Sequence, residues 1–233
     1  MQEHLSVRQN GLLQELILAI ALLVVSSLVI ELIRLDQAIA DVIYQAQGNS
    51  WHLKNSWVTA IFIHKGGKYL SITIALLVLL LWSISYKYSG LQIWRRRLGY
   101  LFVASALGSL AVSIGKTITD ISCPWDFSRY GGQLEYLSLI EQLSIGNGSH
   151  CFPAGHASAG YAWVALYFVG RHTLSIWRWY SLGFSLLLGF IFGFSQQLRG
   201  AHFISHDIWS FGTCWIVSLI SYYVMLHSHE SIK

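Results

Sequence analysis

Long apolar blocks separated by short polar ones dominate the chain. A bilayer core needs about 20 apolar residues in a helix to be crossed, and six blocks approach that length. They cover residues 13–33, 69–86, 98–118, 155–169, 180–198 and 207–226. The pattern predicts an all-α integral membrane protein with six transmembrane helices, read as one domain over residues 1–233. The first block is longer than the apolar core of a signal peptide, about 7–15 residues, and no A-x-A-like site follows it. It therefore reads as a retained helix. Small residues in the third to fifth blocks predict helices that pack closely. Between the first two blocks, residues 35–47 form an amphipathic stretch, followed by Trp51 and Trp57. That stretch predicts a helix lying on the membrane surface.

Composition agrees. Hydrophobic residues make up 54% and charged ones 11%, against about 25% charged in a soluble domain. This excludes a disordered chain and argues against a soluble enzyme. Ten Trp and twelve Tyr fit interfacial anchors. The net charge of +4 is scattered between apolar blocks, with no stripe suited to nucleic acid. Arg95, Arg96 and Arg97 lie between the second and third blocks, and Arg171 and Arg178 between the fourth and fifth. Basic loops mark the cytoplasmic side, so the expected topology has both termini inside.

The reactive side chains then collect on the opposite, non-cytoplasmic face. Lys116 ends the third block. His156 opens the fourth, just after Pro153-Ala154-Gly155. Arg199, His202, His206 and Asp207 join the fifth and sixth. Ionisable groups at a membrane edge are costly to desolvate and are functional candidates. Lys116, Arg199 and Arg129 supply positive charge. The helix opened by Pro153 offers free backbone N–H groups to an anion, and Gly155 lets a ligand approach the backbone. His156 and His202, from separate segments, suit an acid and a nucleophile. Together these are the parts that phosphoryl transfer requires.

At these residues the chain resembles the type 2 phosphatidic acid phosphatase (PAP2) superfamily, its membrane-bound lipid phosphatase branch, related to the vanadium haloperoxidases. That family carries K-x6-R-P, P-S-G-H and S-R-x5-H-x3-D. The matching blocks are Lys116-x6-Cys123-Pro124, Pro153-Ala154-Gly155-His156 and Arg199-Gly200-Ala201-His202. Ser195-Gln196 stands where Ser-Arg is expected, and an Arg follows three residues later. The acid is displaced too, since His206 lies four and Asp207 five residues after His202. The resemblance implies a haloperoxidase-like helical core with its site at the non-cytoplasmic membrane face. His202 would attack phosphorus and form a phosphohistidine, oriented by Asp207 or by His206. His156 would protonate the leaving oxygen. Lys116, Arg199 and the Gly155 N–H would hold the phosphate, and Arg129 is the candidate substitute for the Arg lost at Cys123. No metal or other cofactor is implied. The implied substrate is a lipid phosphate: phosphatidic acid, phosphatidylglycerol phosphate, undecaprenyl pyrophosphate or a lipid A phosphate. The implied location is a bacterial inner membrane, with the site facing the periplasm. Cys123 and Cys151 precede the two prolines in loops expected to meet at the site, and a disulfide between them is expected in an oxidising compartment. The alternative is two reduced, buried thiols.

Other readings stay open at this point. A lipid phosphotransferase would use the same site. His202 and His206, at i and i+4, suit two metal ligands, with His150, Cys151 and Cys123 as possible additions. A non-catalytic lipid-binding protein would account for the departures in all three blocks. Individually, Lys116 reads as a snorkelling helix-end lysine, Asp207 as an acid starting a helix, Asp126 as a loop brace, and Cys214 as a packing residue.

Overall fold

A computed structural model describes residues 2–146, 148–171 and 175–227, the side chains of residues 2–9 and 175 excepted. All regular elements among these residues are helical. Helix α1 (Gln2–Leu32) turns at Arg34, which takes a left-handed conformation at φ 53°, into α2 (Leu35–Ala46). A π-helical stretch, Trp57–Gly66, runs straight into α3 (Gly67–Ile84). Then follow α4 (Arg95–Thr119), the short α5 (Leu139–Ile145), and α6 (Gly155–Tyr161). A 3₁₀ turn, Ala162–Val164, leads on into α7 (Ala165–Gly170). Helices α8 (Ser175–Leu198) and α9 (Ile204–Met225) complete the described chain.

Five stretches are long and apolar enough to cross a membrane: Asn10–Leu32, Trp57–Ile84, Ser89–Asp126, Ile176–Leu198 and Ile204–Met225. The structure differs from the sequence reading in two places. The fourth predicted span, 155–169, is not among these five: it is a rod of seven, three and six residues, interrupted by a 3₁₀ turn. It is wrapped by protein, with Ala157, Val164, Ala165 and Phe168 fully buried. Core-facing and lipid-facing segments are equally apolar, so hydropathy alone does not separate them. The second span begins at Trp57 rather than near residue 69. The polar run His64-Lys65-Gly66-Gly67-Lys68 reads as a helix breaker, yet the backbone stays helical through it.

The buried rod organises the bundle. Val112 of α4 and Cys214 of α9 pack with Ala154, Ala157, Tyr161 and Val164. Farther along, Tyr100, Leu101 and Ala104 of α4 meet Trp163, Phe168 and Leu219. On the α8 side the backbones nearly touch: a Cβ on Gly160 would fall 2.4 Å from Gly189 N. Only glycine permits that approach. The outward faces of α1, α3 and α8 stay apolar and exposed, as at Leu22, Leu76 and Leu187.

The helices alternate in direction, so their ends sort into two groups. At the end carrying Arg95, Arg171 donates to both Glu15 oxygens at 2.8 and 3.1 Å, and Tyr223 Oη donates to Glu15 at 2.8 Å. The other end gathers the C-termini of α4 and α8, the N-termini of α6 and α9, and the π-helical stretch. The amphipathic segment forms as α2, but its inner face packs on protein. Ala40 joins a cluster with Phe127, Tyr130 and Phe203.

Helix α2 also caps α9. The residue preceding α9 is Phe203, which has no side-chain acceptor. Asp36 supplies one, accepting from Ser205 N at 3.0 Å and Ser205 Oγ at 2.6 Å. Loss of a helix N-cap costs about 0.5–2 kcal/mol. Asp36→Ala is therefore expected to lower the thermal midpoint in detergent, and Asp36→Asn to lower it less. Circular dichroism melts of both variants check this; equal midpoints for wild type and Asp36→Ala would refute the cap.

Candidate active site

Six polar side chains from five segments meet at the end of the bundle opposite Arg95. Lys116 sits in the last turn of α4, with its stem over the start of α6: a Cβ on Gly155 would lie 3.9 Å from Lys116 Cδ. His156 is the second residue of α6. His202 ends the α8–α9 turn, and His206 lies in the first turn of α9. Arg199 occupies the α8–α9 turn. His64, from the π-helical stretch, stacks on His156 with ring centroids 3.5 Å apart. The charges of Lys116 and Arg199 reach the ring of His156, and that of Lys116 reaches His202.

The start of α6 is pinned to α9. Ala154 N donates to the His206 carbonyl at 3.1 Å, and Ser210 Oγ lies 2.9 Å from the Ala154 carbonyl. Ser158, the hydroxyl nearest the missing P-S-G-H serine, donates to the Gly155 carbonyl at 2.7 Å. It is thus spent within its own helix.

His202 and His206 are both buried, at 5% and 1% exposure, and their Nδ1 atoms lie 3.4 Å apart. One ring donates and the other accepts. The Cys151 carbonyl faces both. Burial first, then His206, Lys116 and His156, holds His202 well below the ordinary imidazole range. It is therefore neutral at pH 7.

Asp207 points elsewhere. It is buried, and its Oδ2 accepts from Gln197 Nε2 at 2.5 Å. It lies so close to α8 that a Cβ on Gly193 would fall 2.4 Å from Oδ2. One helical position separates Asp207 from His206, which turns its side chain about 100° away from the His202 side. The structure thus brings His206, not Asp207, to His202.

Arg129 is also placed outside the cluster. It forms a bidentate pair with Asp41 of α2, at 2.8 and 2.6 Å. Its side chain is 49% exposed. The carboxylate holds the guanidinium pKa above its usual value, and the same contact pulls Asp41 below the usual carboxylate range.

Arg199 is held in place by residues the sequence reading did not weigh. Its Nε donates to the Lys54 carbonyl at 2.8 Å, and Nη1 donates to Gln196 Oε1 at 3.0 Å. Gln196 occupies the position of the family's motif arginine. It therefore tethers an arginine supplied one turn later. The turn is fixed from outside by Trp125 N, which donates to the Gly200 carbonyl at 3.0 Å, and by Lys54 Nζ, 3.9 Å above the Trp125 ring. Gly200 has φ +73°, and a Cβ there would lie 2.4 Å from the Trp51 ring. No other residue fits.

The loop after α4 is braced against the segment before α6. Cys151 N donates to the Ile121 carbonyl at 2.7 Å. Asp126 accepts from Cys123 N at 2.9 Å and from Ser149 Oγ. Cys123 and Cys151 are joined as a disulfide with Cα atoms 5.2 Å apart. His150 pairs with Asp120 at 3.2 Å. His150, Cys151 and Cys123, the further metal ligands the sequence offered, are thus committed to other partners. Among the described residues, no three His, Cys, Asp or Glu side chains converge as ligands.

Of the sequence-derived candidates, Lys116, Gly155, His156, Arg199, His202 and His206 come together. His64 was missed because its surroundings read as a break between helices. Its spacing of four from Lys68, at the start of a long apolar helix, is the signal that could have found it.

Histidines thus gather with two cations that have no carboxylate partner among the described residues, at one end of a helical bundle whose outer faces are apolar. The PAP2 superfamily model matches residues 97–230, and the chain belongs to that superfamily. No curated protein and no solved structure matches it.

The disulfide is directly testable. Alkylation after unfolding without reductant should label Cys214 alone, and prior reduction should raise the count to three. Intact mass reads both; three labels without reductant would refute the pairing.

Proposed function

We propose that the protein is an integral membrane lipid phosphatase that hydrolyses a phosphomonoester or pyrophosphate through a phosphohistidine. One observation carries the reading. Lys116 and Arg199 converge on His156, Lys116 also reaches His202, and neither cation has a carboxylate partner among the described residues. Half-buried cations without counter-ions are suited to a multiply charged anion. Membership of the superfamily supports phosphatase-type chemistry. The apolar outer faces of the helices support a lipid substrate.

In this reading His202 carries its proton on Nδ1 and donates it toward His206 Nδ1. That leaves the Nε2 lone pair free to attack phosphorus. His206 thus takes the orienting role that a carboxylate plays in the family pattern. His156 donates a proton to the leaving oxygen, and then activates the water that cleaves the phosphohistidine. Lys116, Arg199 and the Gly155 N–H hold the phosphoryl oxygens as charge builds. The whole chain acts as one domain, with six crossings if the buried rod is counted. Arg95, Arg96 and Arg97 favour placing the opposite end on the cytoplasmic side. The site would then face the periplasm of a bacterial inner membrane, where Cys123 and Cys151 can oxidise.

Phosphate release in detergent, measured with a chelator present and a panel of lipid phosphates, tests the reading. Wild type should release phosphate; His156→Ala and His202→Ala should each lose at least about a hundredfold. Release abolished by the chelator, or surviving in both variants, would refute it. His206→Ala should cost about a hundredfold or more, whereas Asp207→Asn should retain most activity; the reverse order would return the orienting role to Asp207. Because burial depresses His202, protonation of the nucleophile should not limit kcat/KM near the ordinary histidine value of about 6.5. A pH profile whose acid limb falls near that value, and moves in His206→Ala, would contradict a neutral buried nucleophile.

A further inference from the structure

One short helix outside the site has its polar and apolar residues the opposite way round from a helix in water. Helix α5 is opened by a capping box, in which Glu141 N donates to Ser138 Oγ at 3.4 Å and Ser138 N donates to Glu141 Oε2 at 2.8 Å. Its most buried residue is Gln142, at 7% exposure, whereas Ile140 and Leu143 are exposed at 55% and 51%. A helix on a water-facing surface turns its apolar residues inward and its polar ones outward.

The amide is buried because it holds the helix in place. Gln142 Oε1 accepts from Ser122 N at 2.9 Å, and Nε2 donates to the Leu137 carbonyl at 3.0 Å. Beyond the helix, Gly148 N donates to the Asp120 carbonyl at 2.7 Å. Asp120 and Ser122 follow directly on Thr119, where α4 ends. Helix α5 is thus fixed at the level of that end. The 25 residues of α4 give it a length of about 37 Å, against about 30 Å for a hydrocarbon core. With Arg95 at one membrane surface, the last turn of α4 reaches the head groups of the other. That turn carries Ile118, exposed at 75%, and α5 lies beside it.

The exposed surface of α5 is itself two-sided. At about 100° per residue, Ile140 and Leu143 point along one flank, and Glu141 and Ser144 along the next. All four are exposed. An apolar flank beside a polar one is the pattern of a helix lying in the plane between lipid and water. Ile145 points away from both and lines a cleft with Leu134 and Leu137. The sequence pattern assigned the place on the membrane surface to residues 35–47, yet that helix packs its inner face on protein.

We infer that α5 is an interfacial anchor, its Ile140–Leu143 flank seated in the phospholipid leaflet beside the end of α4 and its Glu141–Ser144 flank in water. Through Gln142 the anchor holds Ser122, the neighbour of Cys123 in the disulfide. The brace between the loop after α4 and the segment before α6 is therefore moored to the membrane surface as well as to the bundle.

Photo-crosslinking tests the seat. p-Benzoylphenylalanine is placed singly at Ile140, Leu143 or Ser144, and at Ile118 as the lipid-facing reference. Each full-length protein is reconstituted in phosphatidylcholine vesicles and irradiated, and phospholipid adducts are counted by mass. All four positions are exposed, so the packing is left intact, and two separate positions report on the apolar flank. Adducts at Ile140 and Leu143 should approach the Ile118 yield and exceed that at Ser144 several-fold. Yields at both positions no higher than at Ser144 would overturn the anchor. Crosslinks at Leu143 that join two protein chains in place of lipid would assign the flank to a second copy, and would overturn it as well.

Discussion

Gly160 and Gly189 let two helix backbones meet with no side chain between them, and the position of the site depends on that contact. The rod from Gly155 to Gly170 is too short and too interrupted to be held by lipid. It is held by protein on every side, through Val112, Cys214, Phe168 and the α8 backbone. Its register sets where α6 begins. The start of α6 in turn places His156 and the Gly155 backbone beneath Lys116. A side chain at either glycine would force the rod away from α8 and carry His156 with it.

Around that fixed point, the irregular backbone at the end of the bundle is tied down group by group. Polar backbone near a membrane must find partners within the protein, and here it does so in a way that aims side chains. The Lys54 carbonyl takes Arg199. Gln47 bridges the Leu198 carbonyl and Leu53 N at 2.9 Å each. Trp125 N takes the Gly200 carbonyl. The segment between α1 and α3 is thus a scaffold for the α8–α9 turn rather than a passive loop on the membrane. Asp36 and Asp41 belong to the same scaffold. One caps α9, and the other holds Arg129 against α2.

The departures from the family motifs become intelligible as paired displacements. An arginine moved three residues on, into the turn after α8, still reaches the site, because Gln196 at the vacated position holds its guanidinium. A histidine stands where the orienting carboxylate is expected, and its Nδ1 faces the Nδ1 of His202. Asp207, one residue farther on, is turned into the contact with α8. Cys123 gives up the motif's second cation and braces the loop through Cys151, whose carbonyl faces the two histidines.

Apolar block length, the basic triplet at Arg95–Arg97 and the three motif blocks were enough to specify a helical membrane protein of this superfamily. They also named most of the residues that converge. These features are local: a run of apolar residues or a short spacing carries its meaning without reference to the rest of the chain. What the sequence left undecided depends on distance between separate segments. The burial of 155–170 reflects which neighbours surround it, since core and lipid impose the same apolar composition. Arg129 and Asp207 were reasonable candidates by charge and position. Asp41 and Gln197, lying 88 and 10 residues away, took them instead. His64 was hidden because glycines and lysines beside it suggest a break, yet the backbone there stays helical and packs on α8: Gly67 leaves room for the Phe192 ring, which its Cβ would meet at 2.5 Å. Chemistry written in short spacings could be read from the chain, whereas the choice of partner among like-charged and like-polar residues was made by tertiary contact.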